Sequence, residues 1–177
     1  VRKTDAAELS GEAEEAGEGI CGERRRQERR EKDEARPKES EWHMSGDGKT
    51  KKVKDSERGE RVSEWGESAR LAEAIQKEAA KCGRTIDILL EIHVAEEETK
   101  TGWNIGELMD YVRTAPFARM PDLCVRGVMG IATNTDDEAV IRRDFGELRR
   151  CFELLRPYFG ARFDTLSMGM SHDYPLA

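Results

Sequence analysis

Residues 86–94, IDILLEIHV, form a nearly continuous apolar run rich in β-branched side chains, the pattern of a strand covered on both faces. Ile105, Leu108, Met109 and Val112 follow at helical spacing, with Asn104 placed as a helix cap, so 104–114 is predicted to be a helix. Pro121 and Asp122 break the chain before LCVRGVMGI at 123–131, which reads as a second strand. Thr135 followed three residues later by Glu138 fits a capping box for a long helix reaching about Tyr158. Val140, Ile141, Phe145, Leu148, Phe152 and Leu155 would be its buried stripe. Gly160 ends it, and 163–168, FDTLSM, gives a third strand. Upstream, 69–82 is an amphipathic helix closed by Gly83.

Helix, strand, helix, strand, helix, strand is the order of βα units on a parallel sheet. A doubly wound nucleotide-binding sheet would carry a glycine-rich turn after a strand, and no G-x-G-x-x-G occurs. In a (β/α) barrel, functional groups follow strand carboxyl ends. Here His93 and Lys100 follow one strand, Met129 and Thr133 close another, and Gly169, Met170 and Ser171 follow the third. Pattern alone leaves the two architectures open.

Composition divides the 177 residues sharply. Residues 1–70 hold 36 charged side chains and only six of Val, Ile, Leu, Met or Phe, against 32 of those apolar types in 71–177. Taken by itself, the first part lacks the apolar surface to offset its ordering entropy, and poor order is expected of 1–67. Its 17 basic and 19 acidic residues nearly cancel, which argues against a nucleic-acid arm. No apolar run approaches the ~18 residues of a membrane span, and no secretory leader pattern opens the chain. Cys21, Cys82, Cys124 and Cys151 form no C-x-x-C pair and read as reduced thiols. The expectation is a soluble cytoplasmic protein that binds neither nucleic acid nor membrane.

GDGKTKK at 46–52 fails as a phosphate loop, because the required first glycine is His43. The basic clusters at 24–30 and 49–54 are interleaved with acids and lack stacking aromatics, so a solvated surface is the better reading than an RNA contact. His43, His93 and His172 have no metal-ligand spacing. SMGMS at 167–171 stands apart: small residues after a buried strand expose amides and a hydroxyl that can hold a phosphate, although an ordinary tight turn fits equally well. Lys3 gives no signal by spacing. A lysine acquires carbonyl chemistry only where it is desolvated or lies beside a carbonyl cofactor.

Several segments together resemble the pyridoxal phosphate homeostasis family, which is related in fold to the N-terminal barrel of alanine racemase. They are VRKT at 1–4, GER with QE at 22–28, EWH with Gly46 at 41–46, SARLAEAI at 68–75, ETKTGW at 98–103, RGVMGIATNTDD at 126–137 and LSMGMSHDYPLA at 166–177. The resemblance implies a single α/β domain over 1–177, a (β/α)8 TIM-type barrel truncated at both ends, lacking its first helix and last strand. It implies pyridoxal 5′-phosphate (PLP) as cofactor, Lys3 as its Schiff-base residue, and Ser171, with Gly169 and Met170, at its phosphate. Family members are regarded as non-catalytic carriers that buffer the cofactor or deliver it to PLP-dependent apoenzymes; no catalytic residue and no metal are implied.

The chain departs from the family pattern at Arg24, across 43–52 and at SEWGES, 63–68, where charges replace apolar strand residues that should point into a barrel. The alternatives are an alanine-racemase-like PLP-dependent isomerase, whose second acid/base comes from another domain, a basic-segment interaction protein whose N-terminal region binds RNA or a partner while disordered, and a fragment that no longer binds PLP.

Overall fold

The computed structural model describes residues 20–23, 41–44, 60–63 and 68–177. Six strands form one sheet: β1 (Ile20–Glu23), β2 (Glu41–Met44), β3 (Glu60–Ser63), β4 (Ile86–Glu91), β5 (Leu123–Met129) and β6 (Thr165–Ser167). Every pairing is parallel, and the spatial order equals the chain order. A doubly wound sheet reverses its strand order at a switch point. Successive neighbours without reversal are the arrangement of a barrel wall, which resolves the choice that periodicity left open.

Three helices connect the later strands. In α1 (Ala69–Cys82) the Ser68 hydroxyl accepts from the Leu71 amide, and Gly83 closes the helix in the left-handed conformation. In α2 (Ile105–Arg113) Asn104 Oδ1 accepts from the Gly106 amide at 2.8 Å, as its position predicts. For α3 (Glu138–Phe159) the expected capping box is displaced. Asp137, not Thr135, is the cap: its carboxylate accepts from Ala139 at 2.9 Å, while the Thr135 hydroxyl accepts from the Asp137 amide in the turn before. A carboxylate also complements the positive end of the helix dipole, which a threonine cannot do.

The expectation of poor order for 1–67 falls mostly on residues outside those described. Three segments of this region, β1, β2 and β3, pair within the sheet, and Ser68 caps α1; of the stretch 63–68 that the family pattern marks as a strand, 64–67 lie outside the described residues. The expectation that charges of this region point into the barrel falls on side chains outside those described.

Ile88, Leu90 and Val128 of the sheet pack with Leu148, Cys151 and Leu155 of α3 in one core, all essentially inaccessible to solvent. Phe163 stacks on Phe152 and Phe159 with ring centroids 5.0 and 5.1 Å away, closing the core below β6. Towards the amino ends of the strands, Arg126 reaches across three segments: it binds Asp87 at 2.9 Å, both oxygens of Asp164, and the Arg162 carbonyl.

Gly127 sets how closely β5 and β6 approach. A Cβ at that position would lie 1.7 Å from the Thr165 carbonyl oxygen, which no side-chain adjustment relieves. Gly127→Ala is expected to lower stability by about 3 kcal/mol or more in urea denaturation. Gly146→Ala, in α3 with open space around it, should raise stability by up to about 1 kcal/mol.

Candidate functional site

Because the strands run parallel, their carboxyl ends share one rim, and the segments leaving β4, β5 and β6 meet there. Main-chain pairing extends past the strands: Ile92 bridges Trp103 and donates to the Met129 carbonyl, and the Gly130 amide donates to Ser167 at 3.1 Å. Side chains then knit the two larger loops together. The Glu96 amide donates to the Thr133 hydroxyl at 3.0 Å, the Asn134 amide to Glu97 Oε1 at 3.0 Å, and Lys100 Nζ to the Ala132 carbonyl at 2.6 Å. His93 is occupied within its own loop, its Nε2 lying 3.0 Å from the Glu97 carbonyl. The Asn134 amide, aided by Lys100, holds the Glu97 carboxyl below the usual carboxylate range.

Asp144 anchors this rim. It projects from α3, is 1% exposed, and one carboxylate oxygen accepts from both the Thr133 amide (2.9 Å) and the Thr133 hydroxyl (2.6 Å). Its other oxygen accepts from Arg143, which reaches on to Glu96 at 2.8 Å. Burial by itself pushes the Asp144 carboxyl up; the Thr133 bonds and the Arg143 guanidinium outweigh it and hold the group below its ordinary value. Thr133 had been marked by its place after β5. Asp144 had not, although a signal existed: it lies inside the apolar stripe of Ile141, Phe145 and Leu148, where a charge needs a partner.

The third contribution is the turn after β6. Gly169 has a φ of +90°, and a Cβ there would come 3.0 Å from Tyr174 Cα, so the fold of residues 170–177 over this position requires glycine. Met170 is held at both of its main-chain groups: its carbonyl accepts from the amides of Asp173 (3.1 Å) and Tyr174 (2.9 Å), and its own amide donates to the Asp173 carboxylate. Thus the Met170 amide is not an open donor, although it lies in the SMGMS tract. Ser171 and His172 are exposed, and neither the Ser171 hydroxyl nor the amides of these two residues bond to another described residue. Gly169, Met170 and Ser171 are therefore brought together at the rim. Lys3 lies outside the described residues.

Among the described residues no group of His, Cys, Asp and Glu could hold a metal ion, and no helix is long and apolar enough to cross a membrane. Two adjacent amides and a hydroxyl without a partner among the described residues thus lie on a turn at a strand's carboxyl end.

No family model matches the chain. Among curated proteins, the pyridoxal phosphate homeostasis protein of Aquifex aeolicus is 34% identical over 99% of this chain and 76% of its own length. That of Pasteurella multocida is 30% identical over 98% and 75%. The chain belongs to the pyridoxal phosphate homeostasis protein family. Solved structures agree with the family assignment. An unknown protein from Bifidobacterium adolescentis superposes with a TM-score of 0.89 at 27% identity, covering 98% of this chain and 75% of the other. PipY of Synechococcus elongatus, solved with PLP bound, gives 0.84 at 27% identity, covering 98% and 81%. Alanine racemase of Clostridium difficile gives 0.73 at 14% identity over 97% of this chain and 44% of that one, a likeness of fold alone. The homeostasis family thus shares an alanine-racemase-like α/β barrel architecture, and this chain carries it.

Removing the Asp144 carboxylate should loosen the rim. Asp144→Ala is expected to cost about 3 kcal/mol at neutral pH. The native carboxyl titrates below its unfolded value of about 4, so its contribution is complete above that value and drains away as pH falls through the lower folded one. The urea midpoints of wild type and Asp144→Asn should accordingly converge as pH is lowered from 7 towards 3.

Proposed function

We propose that this chain binds pyridoxal 5′-phosphate and serves as a non-catalytic carrier of it in the cytoplasm, within PLP homeostasis. The observation that carries the reading is the turn after β6: Ser171 and His172 are exposed residues, and the Ser171 hydroxyl and both their amides are unpartnered among the described residues, at the carboxyl-end rim where barrels of this architecture place their ligands. A phosphate suits that donor set, and PipY, a structural relative, was solved with PLP bound.

In this reading Ser171 donates to the cofactor phosphate, Gly169 allows the turn its curvature, and Met170 lines the site with its side chain. Lys3 is the amine that forms the Schiff base. When bound, PLP supplies an electron sink; what the protein adds is attachment, orientation and restricted access. The Asp144 and Thr133 network ties the adjoining loops together. PLP-dependent apoenzymes are the proposed recipients. The six parallel strands are about three quarters of a (β/α)8 barrel.

Incubation with PLP, borohydride reduction and peptide mass mapping should yield a pyridoxyl adduct confined to Lys3 and absent from Lys3→Ala. Ser171→Ala should weaken PLP binding by about tenfold in equilibrium dialysis, the worth of one hydrogen bond to a charged group. Interconversion of D- and L-alanine is expected to be absent. Turnover that disappears in Lys3→Ala would replace the carrier by an isomerase.

A further inference from the structure

Asp173 is 1% exposed, yet it sits beside the turn proposed to hold an anion. A buried carboxylate next to a phosphate opposes binding by like-charge repulsion, so its presence calls for a role that outweighs this cost. The hydrogen bonds supply one. Of the amides in residues 170–174, that of Met170 goes to the Asp173 carboxylate, and those of Asp173 and Tyr174 go to the Met170 carbonyl. Those of Ser171 and His172 remain. The second carboxylate oxygen of Asp173 lies 3.4 Å from His172 Nε2, so the same side chain also restrains the residue carrying one of the two free amides.

We propose that Asp173 is the positioning residue of the phosphate turn: by capturing the Met170 amide it fixes the backbone so that Ser171 and His172 keep their donors available to the phosphate. This rests on the reading that the PLP phosphate occupies this turn, and it adds a residue which that reading does not use. The role needs an acceptor oxygen at this position, not a negative charge. Asparagine supplies the oxygen without the repulsion, whereas alanine supplies neither. The order of affinities is therefore set in advance: Asp173→Asn binds PLP at least as tightly as wild type, and Asp173→Ala binds it about tenfold more weakly.

The test is equilibrium dialysis of wild type and both variants with PLP and with pyridoxal, which lacks the phosphate. The expected result is a loss in Asp173→Ala confined to PLP, with pyridoxal affinity unchanged, and full recovery in Asp173→Asn. Equal loss of both ligands in Asp173→Ala, or an asparagine variant as weak as the alanine one, would overturn the proposal. A wild type that does not prefer PLP to pyridoxal would instead remove the phosphate reading beneath it, and the proposal with it. Should Asp173→Ala fail to fold, amide hydrogen exchange on the wild type decides. The Met170 amide should be protected with and without PLP, and those of Ser171 and His172 only with it. An unprotected Met170 amide in the free protein would sink the idea.

Discussion

Parallel pairing of β4, β5 and β6 beneath the apolar face of α3 is the constraint on which the remainder depends. It brings three carboxyl ends to one rim, and the close approach of β5 to β6 at Gly127 determines where the turn after β6 emerges relative to the loop after β5. Loss of that spacing would move the Ser171 turn away from the Thr133 loop, whatever residues either carried.

Two buried carboxylates organise the rim, and each does so by consuming main-chain donors. Asp144 takes the Thr133 amide and hydroxyl; Asp173 takes the Met170 amide. Both lie where burial would disfavour a charge, and both are compensated by hydrogen bonds rather than by solvent. The outcome is a rim whose internal donors are largely committed, which singles out the uncommitted pair at Ser171 and His172.

Membership of the pyridoxal phosphate homeostasis protein family is shown by curated relatives matching nearly the whole chain. Racemases share the architecture at much lower identity, so the chemistry of the chain has to be argued from its own rim residues.

The apolar periodicity of residues 69–168 was enough to define α1, α2, α3 and the strands β4, β5 and β6, because each buries a continuous stripe whose spacing is a local property of the chain. Short motifs marked SMGMS and Thr133 for the same reason, through residue types that suit a turn or a strand end. The strands β1, β2 and β3 were hidden by charge, since their place comes from pairing along the sheet rather than from their own composition. Sheet order, which separates a barrel wall from a doubly wound sheet, involves contacts between segments tens of residues apart. The Asp137 cap, the Asp144 anchor and the capture of the Met170 amide by Asp173 were likewise decided only in three dimensions, because a hydrogen bond depends on where donor and acceptor meet and not on which residues precede them.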